Sequence, residues 1–206
     1  MSHPVPSSSR GKCAALLATA LLALAVFAGS AQAACSYSGA EKVFSQWGDQ
    51  RNYVLAPDGG FEAGGYGWQL NRGAAVVEGN ESYYLNDAGD SKSLSLPAGS
   101  SAVSPLVCMS IDTPSFRLVA RNTGSPSSQL RVEASYKLLG LIRTKTAGTV
   151  RAGSAWAPTQ SVSTVLTLST IVGTLLPSAI EIRFTPLDSI GNWQVDDVYI
   201  DPFRRS

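Results

Sequence analysis

The chain reads as an all-β protein, an antiparallel β-sandwich with jelly-roll topology, and three observations predict it. Apolar residues alternate with a period of two rather than 3.6. The alternating runs are short, and clusters of Gly, Pro, Asn, Asp and Ser separate them at the spacing of a sandwich or barrel. Helix signals are weak beyond the first thirty residues or so.

The first segment stands apart from the fold. Arg10 and Lys12 precede an apolar run over residues 13–28, followed by SAQAAC with Ala31-Gln32-Ala33 as a small-residue cleavage box. That is the pattern of a secretory signal peptide over residues 1–33. The apolar run is shorter than the roughly 20 residues a spanning helix needs, so no membrane span is expected. A lipid-anchored Cys35 is disfavoured because Gln32 stands where such signals carry an aliphatic residue. Cutting after Ala33 leaves 173 of the 206 residues, one domain over residues 34–206. Removing Arg10 and Lys12 from the 16 basic side chains leaves 14 against 15 acidic ones, so nothing attracts nucleic acid or an anionic membrane. Secretion, outside the cell or at its wall, is the expected location.

Cys13 leaves with the signal peptide, and the two remaining cysteines, Cys35 and Cys108, are expected to pair in an oxidising compartment. Such a bridge would stabilise by about 4 kcal/mol in the chain-entropy view.

Along the domain, GAEKVFSQWGDQ (residues 39–50) allows one helical turn before Gly48 closes it. Strand candidates follow in order: AAVVEG, SKSLSLP, PLVCMSI and SFRLVAR, then QLRVEASYKL, SVSTVLTL, AIEIRFTP and NWQVDDVYI. QLRVEASYKL is the clearest, with Leu130, Val132, Ala134, Tyr136 and Leu138 on one face and Gln129, Arg131, Glu133, Ser135 and Lys137 on the other. AIEIRFTP repeats the device, turning Ile180, Ile182 and Phe184 inward. NDAGD, PAGS, NTGSPSS and TAGTVRAGS read as turns.

The two ends of the domain carry a resemblance. PDGGFEAGGYGW (residues 57–68) is similar to the first strand of jelly-roll carbohydrate-binding modules of the galactose-binding-like superfamily, an Asn/Asp-Gly-x-Phe-Glu run followed by Gly and Trp. WQVDDVYID (residues 193–201) resembles their last strand. The resemblance implies that these strands are neighbours and that an acid from each holds a structural calcium, which makes Glu62 and Asp196 or Asp197 the metal candidates. Glycines beside Glu62 would admit carbonyl oxygens to a hard cation. The competing reading is that glycine clusters are turns and the acid caps backbone N–H groups without metal.

A sugar site pairs flat aromatic rings with a few polar groups. Trp68 and Trp193 are expected in the core. Tyr66, Tyr84 and Trp156 are the ligand-binding candidates, although core or turn packing is the commoner fate of such residues. Arg117, Arg121, Arg131, Glu133 and Lys137 would line a sheet face, and NES at residues 80–82 fits a glycosylation sequon.

The one histidine, His3, lies in the signal peptide, which excludes Ser-His-Asp and Cys-His catalysis and histidine-bound zinc from the domain. Glu62 with Asp197, or Glu78 with Glu81, is available as a carboxylate pair, but no motif sets either in a cleft. No catalytic residue is assigned. Two readings remain: a secreted, non-catalytic domain directed at carbohydrate or cell-wall glycan with a possible structural calcium, and a structural or adhesive surface protein on the same scaffold without a sugar site.

Overall fold

A computed structural model describes residues 39–109, 115–138, 141–163 and 178–201, all within one compact unit, Tyr37–Ser206. The expected signal peptide and Cys35 lie outside the described residues, and so does most of SVSTVLTL. The Cys35–Cys108 pairing therefore falls outside them too.

Among the described residues, the one helical element is a 3-10 turn, Ser45–Trp47, closed by Gly48 in the left-handed conformation at φ 80°. Thirteen strands are present: β1 (Val54–Leu55), β2 (Gln69–Asn71), β3 (Ala75–Glu78), β4 (Lys92–Pro97), β5 (Ser101–Val103), β6 (Val107–Met109), β7 (Ser115–Asn122), β8 (Leu130–Leu138), β9 (Leu141–Val150), β10 (Ala157–Pro158), β11 (Val162–Ser163), β12 (Ser178–Pro186) and β13 (Asn192–Asp201). They form two antiparallel sheets. The first runs β10-β7-β13-β4-β3, with β1 added on β13 and β11 on β7. The second runs β2-β5-β12-β8-β9, with β6 added on β12.

The sheets meet over one apolar core. From the first sheet come Leu94, Leu96, Phe116, Leu118, Trp193, Val195 and Ile200; from the second come Leu130, Val132, Tyr136, Ile180, Ile182 and Phe184. The alternation in β8 and β12 is thus realised wherever side chains are described. Both core tryptophans have partners for their indole N–H groups, as buried polar groups require. Trp68 donates to the Pro57 carbonyl at 3.0 Å and Trp193 to Ser128 Oγ at 3.1 Å. Trp68 stacks on Phe184 with the planes 16° apart.

One expectation needs correction. TAGTVRAGS, expected as a turn, supplies the second half of β9, because the register between β8 and β9 slips between Val132 and Glu133 and absorbs Ala147 in a bulge. Tyr84, a ligand-binding candidate, and its neighbour Tyr83 lie in the loop after β3, and both are exposed.

Candidate functional site

The glycine-rich stretch folds around Asp58. Its carboxylate accepts the backbone N–H groups of Ala63, at 3.0 Å, and Tyr66. Gly64, Gly65 and Gly67 all take left-handed conformations that make so tight a wrap possible. Gly59 is needed for a different reason: a Cβ there would meet the Val198 carbonyl at 2.7 Å. That close approach seats the loop on β13, with Ala56 N–H donating to Val198 O and Val198 N–H to Gly59 O. The first and last motifs are therefore neighbours.

Each metal candidate has a definite place. The Glu62 carboxylate accepts N–H bonds from Ser91 at 2.8 Å and Lys92 at 2.7 Å, and the Ser91 hydroxyl at 3.2 Å. It therefore caps backbone donors of the loop entering β4. Asp196 is buried, one oxygen accepting Glu81 N–H at 2.9 Å and the other Asp197 N–H at 2.8 Å. Asp197 differs: it is 1% exposed, and no hydrogen bond of good geometry reaches its carboxylate, although the Asn86 N–H and the Glu81 carboxyl lie near enough to act on it. It sits at a bulge in β13 with φ 47°.

Burial pushes the Asp196 carboxyl up to about 8, with the Asp197 charge adding to it. Burial likewise pushes Asp197 up to about 8, helped by the charges of Glu81 and Asp90. Opposite Asp197, Gly60 leaves space that a Cβ would fill. At that point Asp197 Oδ1 stands 3.3 Å away, and Asn86 Nδ2 and Asp90 Oδ2 each 3.7 Å. A buried carboxylate of this kind is the one feature here whose chemistry suits a hard, oxygen-seeking cation such as calcium. Among the described residues, no three acidic, histidine or cysteine side chains stand close enough to hold a metal by themselves. Most ligands would therefore have to be backbone or amide oxygens.

A second arrangement lies on the outer face of the first sheet, where the sequence marked only Arg117 and Arg121. Val195, Val198 and Ile200 of β13 face the core, while Tyr199 turns outward into a separate cluster with Phe44 and Tyr53, flanked by Trp47, Leu55 and Leu85. Burial and the nearby Asp197 charge drive the Tyr199 phenol far above its ordinary range. Beside this cluster opens a cleft of about 660 Å³, lined by Trp47, Asp49, Arg51, Tyr83, Arg117 and Gln160 among others. Trp47 and Tyr83 meet edge to face with centroids 5.0 Å apart. The Tyr83 hydroxyl donates to the Trp156 carbonyl at 2.9 Å.

Asp49 organises the cleft's polar end. It accepts bonds from Arg51 Nε and a terminal nitrogen of the same guanidinium, both at 2.7 Å, from the Tyr53 hydroxyl at 2.8 Å and from Arg117 at 2.9 Å. Burial opposes its ionisation, but the bonds from Arg51, Tyr53 and Arg117 outweigh it and hold the carboxyl well below the usual carboxylate range. The same bond pushes Tyr53 up to about 12, after burial as the larger cause. Arg117 also donates to the Thr159 carbonyl at 2.8 Å and stacks over Phe44 at 4.3 Å. Arg51 reaches across to the Ser161 hydroxyl at 2.9 Å, tying the N-terminal turn to the far wall.

The ligand candidates separate. Tyr66 is 81% exposed and Tyr84 52%, but neither lines the cleft. Trp156, a ligand-binding candidate whose commoner fate was core packing, is buried, and the Arg121 guanidinium covers its ring at 4.7 Å. The ring that lines the cleft, Trp47, has no strand periodicity around it to mark it out.

The outer face of the second sheet carries Arg131, Glu133, Glu181 and Arg183, and no aromatic residue among those described on β8 and β12. Arg117 and Arg121 belong instead to β7 in the first sheet. No described helix is long and apolar enough to cross a membrane.

No protein-family model matches the chain, and no curated protein matches it. Solved structures do. The CBM22-1 xylan-binding domain of Paenibacillus barcinonensis Xyn10C is 15% identical with a TM-score of 0.50, covering 74% of this chain and 99% of that one. The CBM22-1–CBM22-2 tandem of the same protein gives 11% identity and a TM-score of 0.51 over 76% of this chain. The enzymatically active domain of tailspike protein 4 from bacteriophage CBA120 gives 17% and 0.50 over 72% of this chain. The chain spans only 46% of the tandem and 21% of the tailspike. These likenesses show the fold: the chain is a β-sandwich of the kind found in jelly-roll carbohydrate-binding modules. Because a tailspike enzyme shares it, the fold alone does not separate binding from catalysis.

Proposed function

We propose that this chain is an exported, non-catalytic carbohydrate-binding domain whose glycan lies in the cleft walled by Trp47 and Tyr83. The observation that supports this best is the cleft itself. A half-buried indole and a phenol stand beside a fixed Asp49–Arg51 pair, which is the combination of C–H-stacking surface and donor–acceptor groups that sugar hydroxyls require. The xylan-binding neighbours make plant-type or cell-wall polysaccharide the first ligands to try.

The reading includes a structural calcium held at Asp197 with Asp90, beside Gly60. The cation would supply charge compensation for the buried carboxylate and no chemistry. It also includes removal of residues 1–33 on export and a Cys35–Cys108 bridge.

Affinity gel electrophoresis against xylan, β-glucan, galactan and peptidoglycan tests it. Retardation by at least one polymer is expected, with Trp47→Ala and Tyr83→Ala each losing at least tenfold in affinity. One observation favours the second reading, a structural or adhesive surface protein: the outer face of the second sheet shows no aromatic row among its described residues. Migration unaffected by every polymer would decide for it.

A further inference from the structure

We infer that a bound glycan crosses from the Trp47–Tyr83 cleft over a crest at Gln160 into a second trough, between β9 and β11. The ligand is then an internal stretch of a linear chain, and Gln160, Thr149 and Arg151 are binding residues. This rests on the cleft reading above and needs no cation.

The trough encloses about 490 Å³, with residues 147–151 on one wall and 159–163 on the other. Gln160 and Ser161 line the cleft as well, so the two hollows share a wall. The facing walls come together where Gly148 meets Val162: a Cβ on Gly148 would stand 3.3 Å from a Val162 methyl. The lining differs from that of the cleft. It offers Thr149, Thr159, Gln160, Ser161 and Ser163 with Arg151, and neither an aromatic ring nor an acidic side chain. The cleft thus supplies the stacking surface and the trough the hydrogen-bonding groups, and a chain of hydroxylated rings uses both.

An extra residue builds the crest. Pro158 pairs with Val119 and Val162 with Phe116, so the strap from β10 to β11 advances four positions while β7 advances three. Thr159 turns inward and is 7% exposed. Its N–H donates to the Leu118 carbonyl at 2.8 Å, its hydroxyl accepts Leu118 N–H at 3.3 Å and its carbonyl accepts Arg117 Nε–H at 2.8 Å. On the other side the Ser161 hydroxyl accepts from Arg51 at 2.9 Å. Gln160 stands exposed between these anchors, and its carboxamide makes no hydrogen bond among the described residues. A fixed backbone thus presents an unused donor and acceptor at the junction, which lowers the ordering cost of binding there. Thr149 and Arg151 on the facing wall are likewise exposed, with side chains unbonded among the described residues.

The cleft alone, at about 660 Å³, already has the size of a small-ligand site, for which about 300–1,000 Å³ is typical. A short fragment fills it. The trough lengthens the site past Gln160, and only a ligand that continues beyond the cleft can use that length. Having no ring to stack on, the trough binds a chain as an extension of the cleft, so short oligosaccharides report on the cleft and longer ones on both.

Isothermal titration calorimetry of the exported protein with xylo-, cello- and β-1,4-galacto-oligosaccharides of two to eight units tests this. In a series that binds, affinity should keep rising beyond the trisaccharide, to at least tenfold above it. The double variant Thr149→Ala with Arg151→Ala should melt with the wild type, since both side chains are exposed, and should bind longer chains with about the trisaccharide's affinity. Gln160→Ala should also lose most of the gain with length, whereas Trp47→Ala should lose affinity at every length. If the trisaccharide and the octasaccharide bind within threefold of one another, the crossing is overturned and the cleft reading stands. A gain with length that survives in the double variant likewise overturns it. If no series binds, the crossing is overturned, and the gel assay decides separately whether the cleft reading stands.

Discussion

Asp49 is where the structure predicts a large loss from a single polar side chain. Its carboxylate joins Arg51, Tyr53 and Arg117, with side-chain exposures of 10% for Asp49 and 7% for Arg117. Replacing it by Ala leaves the Arg117 guanidinium over Phe44, bonded to the Thr159 carbonyl but without the Asp49 counter-charge. Breaking a buried pair on one side costs about 3–5 kcal/mol, chiefly as the desolvation of the abandoned charge. The Arg51 bond adds little, since that side chain is 29% exposed and water replaces what it loses. At about 2–4 °C per kcal/mol for a domain this size, Asp49→Ala should melt about 6–20 °C lower. Urea titration should show the midpoint falling with an unchanged slope. Arg117→Met on top of Asp49→Ala should recover part of the loss, because a neutral side chain of similar length needs no partner. A loss below about 1 kcal/mol would refute the reasoning, since it would mean that Arg117 finds water without disturbing the cluster beneath it. The pH dependence has a matching sign. A carboxylate held low in the fold stabilises above its unfolded value, and that contribution is lost only as pH drops through its folded value. The Asp49 network should therefore persist at pH 3.

Asp196 and Asp197 carry the opposite sign. Both are raised to about 8, so in chelator the folded state binds more protons than the unfolded state between the ordinary carboxylate value and about 8. Stability should fall as pH rises through that window, by up to about 1.4 kcal/mol per pH unit for each group. Melts from pH 5 to 8 in chelator check this, and Asp197→Asn should flatten the slope; a wild-type curve that rises with pH is incompatible with it. Gly59→Ala places a Cβ 2.7 Å from the Val198 carbonyl and should cost about 1–3 kcal/mol in urea titration. Exported protein should carry no free thiol in a mass-tagging assay, and reduction should lower its stability by about 2–4 kcal/mol. Two titratable thiols in the folded protein would exclude the Cys35–Cys108 bridge.

What was legible in the sequence was whatever alternation encodes. The two faces of β8 and β12, the core placement of Trp68 and Trp193 and the glycine closing the first helical turn all follow from local pattern, and the structure agrees with each. β9 escaped because Thr-Lys-Thr followed by Ala-Gly has no apolar face to show, and most of the strand is exposed at the edge of the second sheet. The cleft escaped for a different reason. Arg117 reaches Asp49 across 68 residues, and Glu81 meets Asp196 across 115. Such meetings are set by which strands become neighbours, and no short window reports that. Glu81 looked like the middle of a sequon when read locally; its burial is visible only once β3 and β13 share a sheet.

The Asp-Asp-Val run shows how a local conflict in the pattern marks the site. Strict alternation from Val195 would turn Asp197 and Tyr199 into the core and expose Val198, which no sandwich interior tolerates. The chain resolves this with one extra residue. Asp196 pairs with Val119 and Tyr199 with Arg117, so β13 advances three positions while β7 advances two. Asp197 takes the left-handed turn at that bulge, Val198 and Ile200 return inward, and Tyr199 goes out to meet Phe44. The same extra residue leaves two adjacent carboxyls buried beside the glycine loop, one bonded to the Glu81 loop and one that no hydrogen bond of good geometry reaches. A register slip that keeps the apolar face intact thus also sets Asp197 against Gly60 and supplies the anchor for the loop carrying Tyr83. The bulge is the one feature on which the core, the buried acid pair and the loop beside the cleft all depend.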